Sequence, residues 1–326
     1  AAAAAGLALL AGPARAGAGG PPVLARVADV PLPGPAARFD YQSLDTAANR
    51  LYVSHMGAGE LLVFDVRARA LVGRVRDLPR VTGVWCVPSL GKVYASVPGR
   101  EHVAIVDART LAVRARVGSV GFPDGIAYAP DANRIYVSDE AGGGEWVVDG
   151  ASDRVVATLD IGGEAGNTLY DPGSGHILVA VQTRDEFVEI DPGSDSVVAR
   201  HPIPGSAHPH GLSLDPQRRL LFVANEGNAT LQVVDLATLN VVDREPVGEG
   251  PDVLAFDPGW RRLYVASESG VVSVFDERGG RLSPAGRVTM PHAHTVCVDP
   301  RTHLVYFPLA DVGGRPVLRI MAPRRP

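Results

Sequence analysis

Apolar and polar residues alternate along most of the chain in short runs, such as LSLD at 212–215 and LQVVD at 231–235. A period of two marks half-buried β-strands rather than helices. Between the runs lie clusters rich in Pro, Gly, Asn and Arg, such as DPQRR at 215–219 and PDANR at 130–134. These supply turns. The segments beginning Arg50-LYVSHMGAGELLVFD, Arg134-IYVSDEAGGGEWVVD, Arg219-LLFVANEGNATLQVVD and Arg262-LYVASESGVVSVFD are versions of one unit.

The register is set by the position five residues before the Asp that ends the alternating run, as His210 stands before Asp215. Its equivalents are Asp40, Thr82, Asp124, Gly166, His210, Asp252 and His294, at spacings of 42, 42, 42, 44, 42 and 42. Each unit reads as four short strands. Seven such units predict an all-β fold, a seven-bladed β-propeller with four-stranded blades. The last unit runs out near Met321 after three strands, while VLARVADV at 23–30 matches the Val-rich fourth strands. The N-terminal strand is therefore expected to complete the last blade, close the ring and remove its exposed edges. A solenoid, the alternative for a repeat chain, would cap its ends instead. Residues 21–326 are read as one propeller domain.

The Tyr-Val-Ser/Ala stretches at Tyr52, Tyr136 and Tyr264, each followed by a loop and a Val-rich strand ending in Asp, resemble the YVTN/YncE-like family of seven-bladed propellers. The resemblance covers essentially everything after Pro21. It implies the fold, and it favours a binding role in an exported protein. Propellers of this kind serve as enzymes, binding modules and scaffolds, so function must be argued from the site.

Composition narrows the classes. The chain has 326 residues, 46% hydrophobic and 21% charged, with 31 Lys and Arg against 36 Asp and Glu. A net charge of −5 offers no broad attraction to nucleic acid or anionic lipid. The first residues, AAAAAGLALLAGPARAGAGG, hold an apolar run too short to span a bilayer, then small-x-small patterns ending at Ala16 and Ala18. Residues 1–18 are read as the remainder of an export signal, which places the protein in the periplasm or outside the cell; a bare Ala/Gly leader is the alternative. Cys86 and Cys297 fall in non-adjacent blades and are read as small core residues, not a disulfide. A monomer is expected.

In an antiparallel blade, the start of the first strand and the end of the second share one face of the disc. The third-strand aspartates Asp65, Asp107, Asp149, Asp191, Asp235 and Asp276 lie at the other face, at turns. A short carboxylate there accepts backbone N–H groups, so they are read as structural. The first-strand series surrounds the channel mouth. His210, Asp252 and His294 come from consecutive blades, and ring closure makes Asp40 the next. Imidazole and carboxylate converging from separate strands can bind a divalent cation, so these four are the candidate metal ligands. Asp124 from the same series joins them as a candidate ligand-binding residue, with His55, Asp139 and Asn225 from the second-strand ends and Glu226 just beyond. Glu140, Gln182 and Glu268 follow second strands in the same way. His208 and His292, each two residues before a ring histidine, are expected on an extended backbone to point the same way and form an outer shell. The alternative is a ring of Asp and His that only hydrogen-bond one another. His102, His176, His201 and His303 are read as surface or satisfied polar residues. Trp146, beside the Gly-rich loop, could wall a ligand groove.

Three functions follow. One is an exported propeller that binds a metal ion, a small ligand or a protein partner at the His/Asp-rich mouth. The second is a metal-dependent hydrolase or lyase of lactonase type. The Glu/Asn/Asn/Asp ligand set of gluconolactonase-like propellers is not evident here. The third is an interaction scaffold with an inert channel. No G-x-S-x-G elbow, phosphate loop, H-E-x-x-H or haem-attaching C-x-x-C-H occurs.

Overall fold

A computed structural model describes residues 22–325. The proposed export segment at 1–18 lies outside the described residues. Seven antiparallel sheets of four strands follow one another around a ring. Blade 5 is typical, with strands Pro209–Asp215, Leu220–Asn225, Thr230–Asp235 and Asn240–Pro246 running from the axis outward. Among the described residues no helix is long and apolar enough to cross a membrane.

The ring closes as expected. Leu24–Pro31 pairs antiparallel with Val317–Pro323, with Leu24 opposite Pro323 and Pro31 opposite Val317. Blade 7 is thus built from both ends of the chain. Arg319 donates to both carboxylate oxygens of Asp29 across this seam, each at 2.7 Å.

Alternation along the second strands builds the core. In blade 1, Leu51 and Val53 pack against Tyr306, Leu318 and Ile320 of blade 7. Tyr52, between them, packs on the other side against Val84, Val93 and Ala95 of blade 2. Each blade is therefore apolar on both faces, and the core is a series of inter-blade layers. The repeated tyrosines Tyr52, Tyr136 and Tyr264 are fully buried in these layers.

The turn-face aspartates are structural. Asp65, Asp107, Asp149 and Asp235 each accept backbone N–H groups from the residues two and three positions on, and Asp191 accepts that of Gly193. Asp276 differs. Its strand runs on to Arg278, so it closes no turn and instead accepts from Arg262 Nε at 2.7 Å. Cys86 and Cys297 are both unpaired. Trp146 packs in the layer between blades 2 and 3 rather than walling a groove. Trp85 is 39% exposed on the innermost strand of blade 2.

Candidate metal centre at the channel mouth

The ring positions owe their aim to local irregularities. In blades 3 to 6 the pairing of first and second strands shifts at the mouth end, between Pro123 and Ile126, Ala165 and Thr168, Pro209 and Leu212, and Pro251 and Leu254. Each shift spans the ring residue. A bulge there bends the strand and redirects the side chain. In blade 5 close approach of the neighbouring blade demands glycine beside it: a Cβ on Gly211 would lie 1.9 Å from the carbonyl oxygen of Asp252.

His210, Asp252, His294 and Asp40 are brought together and are all at least nine-tenths buried. Asp252 stands at the centre. Its Oδ1 lies 3.2 Å from His210 Nδ1 and its Oδ2 lies 3.0 Å from His294 Nδ1. His294 Nε2 reaches Asp40 Oδ1 at 3.3 Å. Two further carboxylates enter from loops after second strands. Glu268 Oε1 is 2.9 Å from His294 Nδ1, and Glu226 Oε1 is 3.8 Å from His210 Nδ1. The guanidinium of Arg38 lies over the group, 2.7 Å from Glu268 and 3.0 Å from His294 Nε2.

These contacts are not a set of simple hydrogen bonds. An imidazole nitrogen carries at most one hydrogen, yet His294 Nδ1 faces oxygens of both Asp252 and Glu268. Asp252 Oδ1 is buried without an aligned hydrogen-bond donor, despite the 3.2 Å approach of His210. The donor atoms converge on common points instead. The separations among Asp252, His210, His294, Asp40 and Glu268, 2.9 to 3.3 Å, lie near the edge of about 3.3 Å between tetrahedral ligands that sit about 2.0–2.1 Å from zinc, and Glu226 stands further off at 3.8 Å.

Beside them is a cavity of about 130 Å³ lined by Asp40, Asp124, Glu140, Glu226, Asp252 and Glu268, with Arg38 and His210. Carboxyl groups outnumber bases, and their protonation reflects it. Burial would push the His210 imidazole down, but Asp252, Glu226 and Asp124 carry it up to about 10. His294 is likewise raised, against its burial, by Asp252, Asp40 and Glu268. Burial opposes ionisation of Asp252, but the two histidines hold its carboxyl well below the usual range. Across the cavity, burial and then Asp40 and Glu140 push the Asp124 carboxyl up to about 8. Tyr41 donates its hydroxyl to Asp124 Oδ2 at 3.0 Å. Burial also raises Glu140 and Glu226. Glu268, hydrogen-bonded to His294, is lowered.

The other candidate residues lie away from the cavity. Asp139 accepts backbone N–H groups from Gly121, Phe122 and Gly142 and so fastens a loop. Asn225 is buried in a network with Ser206, Thr230 and Gln232. His55 is buried against Phe39, ring centroids 4.1 Å apart, and burial pushes its pKa down. Alternation explains all three: the last residue of a second strand turns into the blade, and the next residue faces the mouth. Glu140, Glu226 and Glu268 occupy that next position. Gln182 does too, but it is buried and donates to the Ala165 carbonyl. His208 and His292 do not continue the strand. Their φ values are +50° and +67°, and both side chains are exposed. A left-handed residue breaks the extended alternation on which the outer-shell expectation rested. Among the isolated histidines, His176 and His201 share Glu189, while His303 bonds Asp257 and stacks on Trp260. Arg38 is the residue that sequence reasoning missed. It comes from the connection before blade 1, two positions before the ring residue, where blade 2 carries Arg80 and blades 5 and 7 carry His208 and His292.

The fold has many solved counterparts. A chain of hydrazine synthase from Kuenenia stuttgartiensis superposes with a TM-score of 0.77 at 16% identity, over 90% of this chain and 97% of that one. A chain of a mitotic checkpoint complex superposes with the same score at 11% identity, over 98% of both. At such identities the likeness is one of fold. No family model matches the chain, and no curated protein matches it. The molecule is a seven-bladed β-propeller with a His/Asp/Glu cluster at one channel mouth that could hold a metal ion.

Proposed function

We propose that this propeller binds a divalent transition-metal cation at the channel mouth, with Asp252 and a flanking imidazole, His210 or His294, as principal ligands and Asp40 beside them. The observation that carries the reading is Asp252. Its carboxylate is buried between two imidazoles, one oxygen lacks an aligned donor, and additional carboxylates surround it. Carboxyl groups outnumber bases around the cavity, buried like charges are costly, and a cation relieves the excess. Mixed nitrogen and oxygen donors suit first-row ions such as zinc rather than calcium or magnesium. Zinc added to chelator-treated protein should remain bound through desalting. The double variant His210→Ala/His294→Ala should lose it. Stoichiometric zinc in that variant, or none in the wild type, overturns the reading.

One observation favours a catalytic use of the same ion. Asp124 lines the same cavity, and in the absence of an ion its carboxyl is raised to about 8. A divalent cation nearby would favour its carboxylate form, a general base of the kind that metal-assisted hydrolysis of a small ester or lactone uses. Turnover of a lactone panel by the zinc-loaded protein, lost in Asp124→Asn with zinc retained, would establish it. A wholly inactive panel leaves binding as the function.

A further inference from the structure

The cluster is two half-sites, not one. His210 and Glu226 of blade 5 meet Asp252 of blade 6, and Asp252 and Glu268 of blade 6 meet His294 of blade 7. In each triad one atom from every residue lies within 4.8 Å of the others. Both triads use the Asp252 carboxylate, but through different oxygens: Oδ1 faces His210 and Oδ2 faces His294. The repeat produces this geometry. A ring residue and the glutamate 16 positions after it belong to one blade, and the next blade supplies the next ring residue. Two such units in succession must share the ring residue between them.

The geometry points to a dinuclear cation centre, with the Asp252 carboxylate bridging one ion held by His210 and Glu226 and a second held by His294 and Glu268. The inference rests on the single-cation reading above and extends it. Bridged pairs of this kind hold their ions about 3.5–4 Å apart. Asp252 satisfies what a bridge requires: it is 5% exposed, its Oδ1 has no aligned donor, and each oxygen is directed at a different imidazole.

The halves are unequal. Arg38 places its guanidinium on the second half, 2.7 Å from Glu268 and 3.0 Å from His294, and no guanidinium or ammonium group touches the first half among the described residues. An ion entering at His210 meets no fixed cation, whereas one entering at His294 must displace Arg38. Its side chain is 48% exposed, so solvent lies on its outer side. The two ions should therefore load in order, the His210 half first.

The probe is Co²⁺ added stepwise to chelator-treated full-length protein, followed by bound metal per chain and by electron paramagnetic resonance. Two ions should bind, and the high-spin signal of the first equivalent should weaken as the second enters, because the shared carboxylate couples the spins. Glu226→Gln should weaken the first step about tenfold or more and Glu268→Gln the second, each losing a charged ligand. Arg38→Met should tighten the second step and leave the first unchanged. Two ions bound by Arg38→Met but one by the wild type would equally support the paired site, with Arg38 as its guard. Saturation at one ion in both proteins overturns the second half-site and leaves the single-cation reading standing. Two ions with additive, uncoupled signals overturn the Asp252 bridge. No bound cobalt in either overturns both readings.

Discussion

Alkaline pH should destabilise the protein once it has been stripped of metal, and His210 sets the scale. Its imidazole is raised from about 6.5 to about 10 in the fold. A folded-state pKa above the unfolded one contributes stability that is complete below about pH 6.5 and lost as pH climbs through 10. Linkage for this group alone gives a loss of about 3 kcal/mol between pH 6 and pH 9, since a tenfold change in proton affinity corresponds to about 1.4 kcal/mol. His294 is raised as well and acts in the same direction. So do Asp124 and Glu145, whose carboxyls burial pushes up to about 8. Asp252 is lowered, so it stays ionised in both states and adds no slope in this window. For a chain of this size, with about 2.1 cal/mol/K of unfolding entropy per residue, about 3 kcal/mol corresponds to a fall in Tm of roughly 5 °C. Differential scanning calorimetry in chelator at pH 6, 7.5 and 9 measures it, and His210→Gln should show a distinctly shallower fall. A Tm that is flat or rising from pH 6 to 9, or an unchanged slope in His210→Gln, would refute the assignment of a protonated imidazole beside Asp252. Zinc should reverse the trend, because bound metal replaces those protons and its affinity rises with pH.

Other consequences are more local. Leu24→Ala removes a buried side chain from the closing strand and should cost about 2–5 kcal/mol in urea unfolding; a variant within error of wild type would mean the closing strand adds nothing to the core. Gly211→Ala forces a methyl group against the Asp252 carbonyl oxygen, so it should lower stability by about 1–3 kcal/mol and weaken zinc binding together, read by calorimetry and zinc titration. Asp107→Ala deletes the acceptor for the Arg109 and Thr110 amides on the opposite face; it should lower Tm and leave zinc stoichiometry unchanged.

Repetition made much of this legible. A 42-residue period, shared by seven units, places ring residues in register without any knowledge of contacts, which is why His210, Asp252, His294 and Asp40 could be grouped and the seam at 23–30 anticipated. What the period cannot encode is direction at the point where regular structure ends. Asp139 and Glu140 are adjacent in sequence, yet one fastens a loop and the other lines the cavity. The choice depends on which way the strand end turns. His208 and His292 escape the pattern because a left-handed backbone precedes each ring strand. Arg38 escapes it for a different reason: it belongs to the connection that closes the circle and meets His294 only because the ring is closed.

That closure also sets the timing of folding. Strand Leu24–Pro31 pairs with Val317–Pro323, the last strand of the ring to be synthesised. Blades 1 to 6 can form as they emerge, because each consists of consecutive strands. Blade 7 cannot form until that last strand has emerged, and until then the early strand and the blade 1 face that receives Tyr306, Leu318 and Ile320 stay uncovered. A nascent chain of this protein is therefore an open arc with a sticky first edge, and the final strand acts as a latch that converts it, in one late step, into a disc without ends.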